Sequence, residues 1–207
     1  MITERELPVE FIRQLESLEA SYLAEDDPIR QSGFSGGAAR WRAERGPILD
    51  AIKTDGDVLD VGCANGYLLE CLVKWGHERG LALEPYGLNC GPRLIERAKR
   101  RLPDYRANFY VGNAWDWEPP RRFRYVYTLY DCVPLAFLEE YVERVLTRMV
   151  GVGGRVIVGA YGSRSRGVPA FDIEGFLESH GFSVAGTAVG GEPPITAFAW
   201  LDEHWLC

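Results

Sequence analysis

The chain has 207 residues, 46% of them apolar and 26% charged, the balance of an ordinary globular protein rather than a disordered or fibrous one. A formal net charge of −7 gives no general attraction to a phosphate backbone, so nucleic acid is not the expected partner; no apolar run approaches the roughly 18 residues that cross a bilayer. Cys63, Cys71, Cys90, Cys132 and Cys207 lack metal-ligand or disulfide spacing, so no metal is expected, and with a charged start that has no apolar signal region they predict reduced thiols in the cytoplasm.

In chain order, Phe11, Leu15, Leu18 and Tyr22 stand at helical spacing behind Pro8, a residue suited to a first helical position. Asp26-Asp27-Pro28 ends this helix, and Gln31 to Gly37 reads as a mobile loop because its glycines are costly inside a helix or strand. A second helical stretch runs from about Ala38 to Ile52 with a break at Pro47. From Asp57 onward β-branched and aromatic runs alternate with helical ones. Val58 to Val61 is a buried strand, and Leu68, Cys71, Leu72 and Trp75 form a helix stripe. Leu81 to Leu88 contains a strand, Pro92 opens a helix that Pro103 stops, and strands follow at Phe109 to Val111 and Tyr125 to Leu129. A long helix from about Leu135 to Met149 precedes a strand at Val156 to Gly159. Asp172 caps a short helix that Gly181 ends. Phe182 to Ala188 and Thr196 to Leu201 are successive strands with no helix between them, which favours antiparallel pairing. The sum is an α/β protein, a mostly parallel sheet with helices on both faces.

The richest stretch is Val58-Leu59-Asp60-Val61-Gly62-Cys63-Ala64-Asn65-Gly66-Tyr67-Leu68-Leu69-Glu70, a strand, a glycine turn and a helix start in succession. Ligands of open parallel sheets bind beyond the carboxyl ends of the strands. Gly62 and Gly66 let the backbone approach a ligand, and Asp60 supplies a negative charge for a cationic group. A dinucleotide fingerprint needs a middle glycine where Ala64 stands, which disfavours hydride-transfer cofactors.

The segment resembles the first motif of the class I S-adenosylmethionine (SAM)-dependent methyltransferases. That resemblance, which spans about Asp57 to Leu201, implies a Rossmann-like three-layer sandwich with a seven-stranded sheet ending in the antiparallel pair. It implies a single domain, with residues 1–54 as a helical extension or lid and 55–207 as the core. It implies SAM as cofactor and S-adenosylhomocysteine as product, held by Asp60, Gly62, Cys63, Ala64, Asn65 and Gly66. The family's second strand commonly ends in an acid that takes the ribose hydroxyls; here the position is Asn89, followed by Cys90, and a neutral amide gives up the charge-assisted bond. Asn113, Ala114 and Trp115 fall where the family reads adenine. An amide at Asn113 offers both donor and acceptor, and Trp115 reads either as a cover for adenine or as core.

The fourth strand leads to Tyr130 and Asp131, the position beside the transferable methyl. The Asn/Asp-Pro-Pro-aromatic motif of enzymes acting on exocyclic base nitrogens is missing there, which points to a small-molecule acceptor. Tyr130 also counts among the cofactor contacts. Asp131 either orients or deprotonates the acceptor or caps a helix. Phe34, Trp41, Arg45, Tyr161 and Arg164 are the acceptor-contact candidates, against the plainer reading that Trp41 packs on the sheet and Arg45 is solvated. The expected reaction is methyl transfer to oxygen or nitrogen of a small molecule. The alternatives are a non-catalytic protein of the same fold, suggested by Asn89 and Asn113, and an RNA methyltransferase using the basic run Arg93 to Arg106.

Overall fold

The structure, a computed structural model, describes residues 5–203; Met1 to Glu4, His204 and Cys207 lie outside the described residues. Helix α1 spans Val9–Leu23 and leads through a 3-10 turn, Arg30–Ser32, to α2, Ala38–Arg45. Where a mobile loop is expected, Gln31 and Phe34 are instead buried, because Gln31 hydrogen-bonds inward to Asn65 and Phe34 meets Trp41 edge to face. Pro47 does break the second helical stretch, which continues as a 3-10 segment, Gly46–Ala51.

Strand β1 (Gly56–Val61), α3 (Tyr67–Glu78), β2 (Leu83–Asn89), α4 (Pro92–Arg101), β3 (Phe109–Val111) and β4 (Phe123–Leu129) follow in alternation. The expected long helix is three pieces: a 3-10 turn at Leu135–Phe137, α5 at Leu138–Arg144 and a π-helical turn at Val145–Met149. β5 covers Val150–Tyr161, well beyond the four residues expected. Val150 pairs with Phe123 of β4, residues 151–154 form an irregularity without partners on that strand, and regular pairing resumes at Arg155 with Tyr125. Helix α6 (Ile173–Ser179) is capped by Asp172 Oδ1, which accepts the Gly175 N–H at 3.0 Å. β6 begins only at Gly186 and runs to Gly190, because Phe182 is drawn into the core just after the helix ends. β7 spans Thr196–Asp202.

The sheet order is β3-β2-β1-β4-β5-β7-β6, with β7 antiparallel to both neighbours. Successive crossovers run outward in opposite directions from β1 and β4, so a crevice forms between the carboxyl ends of those two strands. Alternation along the strands divides the core by face. Leu59, Val61, Val126 and Val158 pack toward α5 and α6, while Val58, Tyr127, Ile157 and Phe198 pack toward α3, α4 and the segment from Trp41 to Ile52. No described helix is long and apolar enough to cross a membrane.

Candidate functional site

At the crevice the chain leaves β1 through Gly62, with φ +93°, where a Cβ would come within 3.2 Å of Cys132 Sγ. Ala64 takes a φ of 46°, uncommon outside glycine. Gly66, at φ +76°, opens α3 so close to α4 that a side chain would stand 2.9 Å from Ala98 Cβ. Asn65 stiffens this turn: its Oδ1 accepts the Tyr67 N–H at 3.1 Å, and its Nδ2 donates to the Pro28 carbonyl at 2.9 Å.

Asp60 ends up 3% exposed, and among the described residues none donates a hydrogen bond to its carboxylate. Burial alone pushes its carboxyl from 3.8 up to about 7. An isolated carboxylate in a dry site is costly, and the cost disappears when a cation sits beside it. The same burial, with Asp60 nearby, holds the Cys63 thiol well above its ordinary range.

Two small cavities flank Gly62. One, of about 50 Å³, is lined by Asp60, Cys63, Ala64, Trp41, Arg45 and Tyr161 among others. The second, of about 70 Å³, lies over β2 and β3 between Asn89, Cys90, Ala114, Cys132 and Leu15 of α1. Pockets for small molecules measure roughly 300–1,000 Å³. Neither cavity alone reaches that size.

Beyond the first cavity, and sharing Ser32, Arg45, Leu129 and Tyr161 with it, a polar cavity of about 400 Å³ opens between Tyr22, Phe34, Asp131 and Arg164. Asp131 stands exposed at its rim, where partial desolvation raises its carboxyl above the ordinary value. The hydroxyls of Tyr127 and Tyr161 are hydrogen-bonded to each other. Burial raises both phenols, and Arg45 partly offsets this at Tyr161.

The crevice thus gathers Asp60, Gly62, Cys63, Ala64, Asn89, Cys90, Ala114, Phe34, Trp41, Arg45, Asp131, Tyr161 and Arg164. Arg45 is not solvated: it is 4% exposed, with its guanidinium 3.6 Å from the Tyr161 ring centroid. Other candidates are spent elsewhere. Asn113 Oδ1 accepts the Trp115 N–H at 2.9 Å, and both residues line a separate groove beside Arg5 and Ile12. Trp115 is core, edge to face with Phe137, and its Nε1 donates to the Arg5 carbonyl at 2.8 Å. Tyr130 stacks on Phe171 with centroids 4.8 Å apart and lines none of these cavities. In the basic run, Arg101 pairs with Glu70 and Lys99 with Glu96.

Sequence reasoning missed Cys132, Leu15, Ser32, Arg40, Glu44 and Gly87. Only Gly87 carried a signal: a glycine inside a strand marks close approach, and a Cβ there would collide with Cys63 Sγ at 2.7 Å.

No family model and no curated protein matches this sequence. Solved structures do match its fold. A chain of the Haloferax volcanii complex that contains a methyltransferase activator shares 13% identity over 91% of this chain and 97% of its own, with a TM-score of 0.67. DhpI in complex with SAH shares 21% over 92% and 95%, at 0.63. A SAM-dependent methyltransferase from Aquifex aeolicus shares 18% over 88% and 97%, at 0.58. The chain has the Rossmann-like fold found among SAM-dependent methyltransferases, as the sheet order and its antiparallel end already indicate.

Proposed function

We propose that the protein transfers a methyl group from SAM to an oxygen or nitrogen of a small-molecule acceptor, releasing S-adenosylhomocysteine. The observation that carries this reading is Asp60, a buried carboxylate with no hydrogen-bond or ion-pair partner among the described residues, beside a glycine turn at the sheet's crevice. The residues present suit the group. Asp60 would take its ammonium, and Gly62 and Gly66 keep the backbone clear of Cβ atoms where the ligand lies against it. At Asn89, Oδ1 is committed to the Gly91 N–H at 2.8 Å. The side chain therefore offers the ribose hydroxyls an N–H donor in place of a carboxylate. Leu15 and Ala114 give the second cavity an apolar lining for a base.

When bound, SAM supplies an electrophilic methyl on a sulfonium that loses its charge as the methyl leaves. The protein's part is to align the acceptor and keep water out. Asp131, on the rim of the larger cavity with its carboxyl raised by partial desolvation, would accept the acceptor's proton. The chain would act as one methyltransferase domain, with residues 1–54 as cover and 55–207 as core. The unpaired thiols of Cys63, Cys71, Cys90 and Cys132 suit the reducing cytoplasm.

Calorimetric titration with SAM, S-adenosylhomocysteine and NAD tests the reading, comparing wild type with Asp60→Ala. Binding of both adenosyl ligands but not NAD, lost in Asp60→Ala, is expected. If a folded wild type binds neither adenosyl ligand, the cofactor assignment fails and the fold serves another purpose.

A further inference from the structure

The 400 Å³ cavity beyond the Asp60 pocket holds an excess of positive charge that the proposed cofactor does not account for. Four guanidiniums, those of Arg40, Arg45, Arg164 and Arg166, line it against the two carboxylates of Glu44 and Asp131. Glu44 is 2% exposed and serves three of the four. Its Oε1 accepts from Arg40 Nε at 2.8 Å and lies 3.4 Å from Arg164 Nε, and its Oε2 lies 3.4 Å from Arg45 Nη1. One carboxylate cannot neutralise three cations, and two of these contacts are long for charge-assisted bonds.

Arg45 is the least satisfied member. The rings of Tyr161, Phe34 and Trp41 lie 3.6, 4.7 and 4.9 Å from its guanidinium carbon. Rings compensate the flat faces of a guanidinium and leave its in-plane N–H groups wanting acceptors. Its Nε is buried with no hydrogen-bond partner among the described residues. Around it, Ser35, Ser163 and Ser165 contribute hydroxyls to the same lining.

We propose that this cavity binds an oxyanion, a carboxylate or phosphate, carried by the methyl acceptor, with Arg45 and Arg164 as its direct ligands. The proposal rests on the methyl-transfer reading for the word acceptor, while the anion site itself rests on the arginine cluster alone. An oxyanion could also come from the amino-acid end of the cofactor, since Arg45 lines both cavities. Arg164 lines only the larger one, so it separates the two sources. Held there, the anion would orient the rest of the acceptor past Leu129 and Tyr161 toward the Asp60 cavity.

Inorganic phosphate and benzoate are titrated into the full chain by calorimetry at low ionic strength, without and with saturating S-adenosylhomocysteine. Wild type, Arg164→Gln, Arg45→Gln and Asp60→Ala are compared, each checked for folding by its thermal transition. Expected is oxyanion binding that persists when the adenosyl ligand is bound and in Asp60→Ala. Arg164→Gln should weaken it about tenfold, the worth of one charge-assisted bond, with S-adenosylhomocysteine affinity unchanged. Displacement of phosphate and benzoate by S-adenosylhomocysteine, or equal weakening of both ligand types in Arg164→Gln, would assign the anion to the cofactor and overturn the proposal. Failure of either oxyanion to bind a folded wild type overturns it as well. Oxyanion binding without adenosyl binding would leave the anion site standing and sink only the methyl-transfer reading.

Discussion

Asp60→Asn should make the empty protein more stable and at the same time disable it. In the folded chain burial raises this carboxyl from 3.8 to about 7. Between those values the folded state binds more protons than the unfolded one, so stability falls as pH rises through that window. At about 1.36 kcal/mol per pH unit, the accumulated cost is roughly 2 kcal/mol at pH 5 and about 4 kcal/mol from pH 7 upward. An asparagine of the same shape carries no such cost. Urea unfolding of ligand-free wild type and Asp60→Asn at pH 5 and pH 8 should show the variant ahead at both, by more at pH 8. The same carboxylate should report on the ligand. A cation seated beside it restores its ionisation, so this carboxyl should release roughly nine-tenths of a proton on S-adenosylhomocysteine binding at pH 6 and only about a tenth at pH 8. Calorimetry in buffers of different ionisation enthalpy counts those protons. A variant no more stable than wild type, or proton release independent of pH, would refute the argument that Asp60 is a buried charge awaiting a cation.

Gly66→Ala forces a Cβ onto a φ of +76° and to within 2.9 Å of Ala98 Cβ, and should cost about 1–3 kcal/mol by urea titration; a change near zero would show that the turn relaxes freely. Trp115→Ala removes a core indole and should cost about 3–5 kcal/mol in the same assay, whereas a ligand-only role would leave stability of the empty protein untouched. Asp172→Ala deletes the cap of α6 and should cost about 1 kcal/mol, with S-adenosylhomocysteine binding unaltered; a loss of binding would contradict the placement of α6 away from the crevice.

Patterns with a short physical range were legible in the residues. Val58 to Gly66 declared a strand, a turn and a helix start because each needs only its own side chains, and Phe109 to Val111 stood out as an apolar run between Pro103 and Gly112. What misled was composition whose meaning depends on distant partners. The glycines at 151, 153 and 154 look like a breaker, yet the strand runs through them as an irregularity: pairing with β4 skips from Val150 to Arg155. Arg45 looks like a solvated charge until the Tyr161 ring, more than a hundred residues on, closes over its guanidinium. Asn113 sits at the expected sequence position with its amide oxygen accepting the Trp115 N–H, and of the two readings open for Trp115 the indole takes the core one, edge to face with Phe137.

Helix α1 buries none of its own residues, yet the segments at its two ends are tied down. Before it, Leu7 is buried and the Arg5 carbonyl accepts from Trp115 Nε1; after it, Pro28 and Gln31 are held by Asn65. Between them the span is held at fewer points, where Glu19 Oε1 accepts the Arg93 and Leu94 N–H groups and Phe11 packs on the core. Lifting the span around Leu15 uncovers the second cavity while sparing the fastenings, which are the larger investment of buried surface. Ligand exchange by that route leaves the fastened ends, and the acceptor side of the crevice with them, assembled between turnovers.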